Sequence, residues 1–263
     1  MTHSPELVSL SSPSRSLRAY LHASPEVRRA PAAIWLHGSE PDPGAADTLA
    51  EFYRARGYVL LVPHRAGHGE SPGDYPIAEL RDRLTTESRD GAVEARRLAE
   101  EVIALHEDAL AQTRAAFDWL AARPEVDSTR VHIAGVSHGA IQALLAAEAD
   151  VGACAYVGFA PGAMAWDAVP GIRARLADAV RGARRPILLV QAANDFSLGP
   201  SEELGPELER KGEPNAARVY PAYGSDAQAG HGAFATEASG VWGADLWRFV
   251  ERAEAVGPDG GRG

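Results

Sequence analysis

Apolar residues fall along this chain in short runs, separated by glycine, proline and charged stretches. The length of each run sorts strands from helices. Alternating positions over Glu6–Ser11 and Ser16–Ala23 predict a hairpin-like pair of strands. Continuous apolar runs at 32–36, 58–63, 130–135, 153–159, 186–191 and 217–220 predict buried strands. Between them, helical spacing is read over 45–56, with Leu49, Phe52 and Tyr53 on one side and Gly57 as the C-cap. A long charged helix is expected over 78–122, with Val102, Leu105, Leu110, Phe117 and Leu120 near one stripe. Charges such as Glu94, Arg96, Arg97, Glu100 and Glu101, and His106, are expected to face water. An alanine-rich helix at 139–149, a short helical excursion within 160–185 and a closing helix at 240–253 complete the pattern. Trp242, Leu246 and Phe249 form the inner stripe of the last. Strands that alternate with helices and are apolar on both faces predict an α/β fold with a mostly parallel sheet covered on both sides.

Composition narrows the field. The 263 residues are 45% apolar and 24% charged, as in an ordinary globular protein and unlike a disordered chain. One continuous sheet uses almost the whole length, so a single domain is expected over 1–253, with a frayed tail at 254–263. A net charge of −10 argues against nucleic acid as a partner. The single cysteine, Cys154, excludes an intrachain disulfide framework and a thiolate zinc cluster. The opening residues show no basic segment followed by an apolar one, and no run nears the roughly 18 apolar residues of a membrane helix. A cytoplasmic protein is therefore expected. Residues 74–107 exceed what a strand-to-helix connection needs and are a candidate cover for a site.

The chemistry concentrates at Gly135-Val-Ser-His-Gly139. The pentapeptide alone is weak, but an apolar strand runs into it and a helix leaves it. That is the strand–turn–helix setting of a nucleophile elbow. Small residues two before and two after the serine let strand and helix pass closely, and Ser137 projects at a helix N-terminus that favours negative charge. A serine hydroxyl needs a base, and the base needs an orienting acid. Asp195, after the strand at 186–191, and His231, in a glycine-flanked loop, follow Ser137 in that order. Among the nine histidines only His231 has this order and setting; Asp226 is the rival acid, and Asp195 is favoured. The two N–H groups of an oxyanion hole are assigned to His138, after the nucleophile, and Ser39, in the loop His37-Gly38-Ser39. His37 is read as bracing that loop. Met164 and Trp166 are candidate walls of the acyl site, with a core or lid role as the alternative; Tyr75 and Phe196 are further candidates.

Taken together, Leu36-His-Gly38, Arg65-Ala-Gly-His-Gly-Glu-Ser71, the elbow, Asn194-Asp195 and Gly230-His231 resemble the α/β-hydrolase superfamily over about residues 30 to 250. Within it the chain looks most like the dienelactone-hydrolase and prolyl-oligopeptidase-like branch. Asp127-x-x-Arg-Val-x-Ile133 and the short stretch between Phe159 and Pro186, which leaves no room for a large cap domain, carry that likeness. Dienelactone hydrolases use a cysteine in the elbow; here it is Ser137, and Cys154 is read as a core residue. The resemblance implies a serine hydrolase acting on a small or medium carboxylic ester, without metal or organic cofactor. Amide or thioester hydrolysis and acyl transfer would use the same triad, and a non-catalytic binding protein on this fold is the more distant alternative. The expected partner is a small-molecule ester, with neither nucleic acid nor membrane; a homodimer is compatible with the pattern.

Overall fold

The computed structural model describes residues 4–12, 15–23, 28–75 and 92–256, the side chains of 92–99 excepted. Eight strands form one sheet in the order β1-β2-β4-β3-β5-β6-β7-β8. They are β1 Glu6–Ser11, β2 Ser16–His22, β3 Ala30–Leu36, β4 Val59–His64, β5 Val126–Val136, β6 Ala155–Phe159, β7 Ile187–Ala192 and β8 Ala216–Tyr220. β1 and β2 pair antiparallel, and β2 continues antiparallel onto β4. From β4 to β8 every pairing is parallel. This is the mostly parallel, covered sheet that the apolar runs imply and the α/β-hydrolase architecture that the motif resemblance implies, with no large cap among the described residues.

Why the strand runs are continuous follows from their two-sided burial. In β4, Val59 and Leu61 enter one core while Leu60 and Val62 enter the other. Ile187 and Leu189 of β7 divide from Leu188 and Val190 in the same way. The period of two sends alternate residues to opposite faces, and both faces are covered. Helices Ala92–Ala121, His138–Glu148, Pro170–Gly182 and Gly199–Lys211 cover one side; Asp47–Arg54 and Ser239–Val256 cover the other. On the second side Phe52 stacks on Trp247 at 4.8 Å, and Trp242 donates its indole N–H to the Phe234 carbonyl at 2.9 Å. Full burial of each such aromatic contributes about 2–3 kcal/mol. Trp242, Leu246 and Phe249 are all buried, as their spacing predicts.

Three elements depart from expectation. The helix Gly199–Lys211 is not predicted, and it carries Gly199, Pro200, Gly205 and Pro206, residue types of poor helix propensity. Pro200 stands in its first turn, where the missing N–H costs nothing. Cys154 precedes β6 rather than lying in it; it is partly buried, and burial pushes its thiol up to about 12. His106 is buried at 6% exposure rather than solvated. Gln142 Nε2 donates to its carbonyl at 3.1 Å and lies 3.0 Å from its Nδ1, which pins two helices together. Of the proposed cover at 74–107, residues 76–91 lie outside the described residues, and 92–107 belong to the helix Ala92–Ala121. No described helix is long and apolar enough to cross a membrane.

The strand order reverses at β3, which has β4 on one side and β5 on the other. In open α/β sheets the crevice beyond the carboxyl ends at such a reversal is where sites form. The loop 37–39 leaves β3 there, and the serine elbow leaves β5 there.

Candidate active site

Ser137 stands between β5 and the helix His138–Glu148 with φ 54° and ψ −111°. A non-glycine residue holds such a conformation only where its surroundings over-determine it, at a cost of about 1–3 kcal/mol. Here the Ser137 N–H donates to the Phe159 carbonyl at 2.8 Å, and the Ser137 carbonyl accepts from the Ile141 N–H at 3.1 Å. The flanking glycines make the turn passable. A Cβ on Gly135 would lie 2.5 Å from the Gly139 carbonyl oxygen and 2.8 Å from that of Leu36. The serine is buried at 9% exposure, at a helix start whose first N–H groups have no intrahelical partner.

Asp195 follows β7. Its buried carboxylate takes two donors on Oδ1: the Phe196 N–H at 2.7 Å and His231 Nδ1 at 2.7 Å. An ionised carboxylate only accepts, so His231 donates from Nδ1 and its Nε2 carries the free lone pair. Nε2 is buried and has no hydrogen-bond partner. No hydrogen bond joins it to Ser137 Oγ among the described residues. Ser137 and Asp195 sit at the same sheet edge with only β6 between their strands, since Ser137 bonds Phe159 and Ala160 bonds Val190. Two strand spacings make that about 10 Å.

His231 lies in a π-helical turn, Ala229–Ala233, not in the loop its glycines suggest. Two residues hold this turn in place. Asp226 Oδ1 accepts from the Ala229 N–H at 2.8 Å, which makes Asp226 a cap for the turn rather than the acid. Asn194 donates to the Tyr223 and Asp226 carbonyls at 2.9 and 2.8 Å and accepts from the Tyr223 N–H at 2.9 Å. The neighbour of Asp195 thus anchors the segment that presents His231. Phe196 and the His231 ring pack T-shaped, with centroids 5.4 Å apart.

The loop after β3 is braced from below. Arg65 Nη1 donates to the His37 carbonyl at 2.8 Å, and Nη2 donates to the Gly38 carbonyl. The Arg65 N–H donates to His37 Nε2 at 3.2 Å, and His37 Nδ1 lies 3.0 Å from both the Gly38 carbonyl oxygen and Arg65 Nη2. Burial and the neighbouring guanidinium hold His37 well below the usual histidine range. Burial also brings Arg65 down to about 9. The Gly38 N–H is engaged by Glu40 Oε1 at 3.1 Å, whereas no described hydrogen bond takes the Ser39 N–H. His138 is buried, its ring 4.1 Å from that of His106, and burial with the Arg65 charge keeps it neutral.

The four expected walls separate. Phe196 is 43% exposed beside His231, and Met164 is 42% exposed on the turn after β6. Tyr75 donates its hydroxyl to the Ser39 carbonyl and so acts on the loop backbone. Trp166 is fully buried, and its indole N–H donates to Glu203 at 2.9 Å, the core role that stood as its alternative. An apolar ring with one polar handle packs inward when a carboxylate reaches that handle, and the unpredicted helix Gly199–Lys211 supplies it. Arg65 and Asn194 lie within motifs quoted above, and neither their residue type nor their spacing marks a supporting role. The signal was the buried setting of a charged or amide group, which only packing reveals.

Among known proteins, the family model of the dienelactone hydrolase family matches residues 17–254. No curated protein sequence matches. An esterase from Pyrococcus furiosus superposes with a TM-score of 0.63 at 16% identity, over 95% of this chain and 91% of that one. Est1E from Butyrivibrio proteoclasticus, solved with ferulic acid bound, gives 0.66 at 16%, over 93% and 99%. A thermophilic esterase from Thermogutta terrifontis gives 0.60 at 15%, over 98% and 95%. These likenesses establish a shared fold. The family match across nearly the whole chain establishes more: the protein belongs to the dienelactone hydrolase family and is a hydrolase of the carboxylesterase type.

Proposed function

We propose that this chain is a serine esterase that cleaves a small or medium carboxylic ester through an acyl-enzyme. The observation that carries the reading is the His231–Asp195 bond at 2.7 Å, with a buried, unpartnered Nε2, at the sheet edge where Ser137 is held at positive φ.

His231 Nε2 removes the proton from Ser137 Oγ as that oxygen attacks the acyl carbon. Such a bond is often long without substrate and tightens in the reacting complex. Asp195 holds the imidazole in the tautomer that leaves Nε2 basic and stabilises its cation. The carbonyl oxygen gains charge beside the N–H groups of His138 and Ser39, the first at the positive end of a helix. Each donor contributes about 100- to 1000-fold in rate. His231 then protonates the departing alkoxide, and a water activated by the same nitrogen releases the acid. Phe196, beside His231, and Met164, on the turn after β6, are exposed apolar side chains available to an acyl or alcohol group.

Labelling with a fluorophosphonate probe tests this directly. Ser137 is expected to become phosphonylated, and Ser137→Ala to lose both labelling and p-nitrophenyl acetate hydrolysis. Turnover that survives the substitution refutes the reading.

A further inference from the structure

Asp195 has a partner that the triad does not use. Its Oδ2 accepts from Gln191 Nε2 at 2.8 Å. Gln191 lies in β7 and is completely buried. Nε2 also donates to the Ser197 carbonyl at 3.0 Å. On the other side, Oε1 accepts from the Ser201 N–H at 3.0 Å and the Ser201 hydroxyl at 2.6 Å. Acceptors face the amide nitrogen and donors face its oxygen. A flipped amide would set oxygen against the carboxylate and the Ser197 carbonyl, and NH2 against the Ser201 N–H, so one orientation is enforced.

We propose that Gln191 is a positioning residue for the reaction above; the inference rests on that reading of Asp195 and His231. Gln191 locks the Asp195 rotamer against His231 and gives the buried carboxylate a hydrogen bond without a charge. The distinction matters chemically. A cation at this place would neutralise Asp195 and weaken its hold on the imidazolium that forms in the reaction. An apolar side chain would leave Oδ2 dry and unpaired. A neutral amide satisfies Oδ2 and leaves the negative charge for His231. Through Ser201, in the first turn of the helix Gly199–Lys211, it also ties that helix to the acid.

The test uses the full chain, with p-nitrophenyl acetate as substrate and a thermal melt as the check on folding. Fluorophosphonate labelling of the wild type at Ser137 is measured first, and its failure refutes the triad reading rather than this one. Given labelling, Gln191→Leu is expected to lower kcat about 10- to 100-fold with KM unchanged, as loss of outer partners does elsewhere. Gln191→Glu is nearly isosteric and carries the test if the leucine variant does not fold. Two carboxylates side by side share one proton, and the shared proton can replace the amide N–H. Its activity relative to wild type is therefore expected to fall as pH rises from about 6 to 9, when that proton is lost. A packing role alone would leave the ratio independent of pH. Wild-type kcat in Gln191→Leu, or a pH-independent ratio in Gln191→Glu, overturns the proposal.

Discussion

Gly139 lies where the helix of the elbow passes under the end of β3, and adding one methyl there reaches both stability and catalysis. A Cβ at this position would lie 2.5 Å from the Leu36 carbonyl carbon and 2.6 Å from the His37 carbonyl oxygen, and closer still to the Leu36 oxygen. All three are backbone atoms, so no rotamer change relieves the contact. Strand end and helix start must part by about 1 Å before the methyl is tolerated. Overpacking of this kind costs about 1–3 kcal/mol. For a chain of this size that lowers Tm by about 2–10 °C. The same displacement separates the Ser39 N–H from the His138 N–H, and a misplacement of about 1 Å can reduce rate about 100-fold. Gly139→Ala is therefore expected to lower both Tm and kcat for p-nitrophenyl acetate. Gly240→Ala is the control. It makes the same chemical change in the helix Ser239–Val256, with nothing within 4 Å of the new Cβ. There alanine is expected to raise stability by about 0.4–1 kcal/mol. If Gly139→Ala melts and turns over like the wild type, the close passage does not hold the oxyanion loop.

Other outcomes follow from the buried polar groups. Burial depresses His106 and His132 to about 3. Their unfolded forms titrate near 6.5, so between these values the unfolded chain binds more protons, and stability is lost as pH falls below about 6.5. Each contributes a loss of about 2 kcal/mol at pH 5, to be read from urea midpoints at about pH 7.5 and 5, and His132→Gln should reduce the loss. An unchanged midpoint would contradict the burial of both rings. Arg65→Lys removes the fork that holds the His37 and Gly38 carbonyls and should cost about 2–3 kcal/mol in chemical denaturation, with a fall in kcat. Trp166→Phe should lower Tm while KM stays unchanged, because the ring is buried against Glu203 and meets no substrate; a raised KM would return it to the pocket.

The elbow and the acid–histidine pair were legible because each depends on local sequence. Gly135 and Gly139 flank a serine between an apolar run and an alanine-rich helix, and that order of residue types dictates a sharp turn at Ser137. Asp195 and His231 were found by order along the chain and by position after strands, which backbone connectivity alone determines. Pocket walls were another matter. Met164, Trp166, Tyr75 and Phe196 are all large and apolar in composition, yet one is core, one supports a loop and two are exposed. The partner that decides between these fates lies 36 residues or more away for Tyr75 and Trp166.

What the sequence by itself determined was the alternation of buried strands and helices, the two-faced sheet and the placing of Ser137, Asp195 and His231 beyond strand ends. Those follow from periodicity and chain order, which act over a few residues. Tertiary structure alone decided that His106 is dry, that Asp226 caps a turn, that Arg65 stands beneath the loop after β3 and that Gln191 faces Asp195. A polar side chain reads the same in a sequence whether water or a buried partner satisfies it. Only the folded packing, which removes the water and supplies the partner, separates the two.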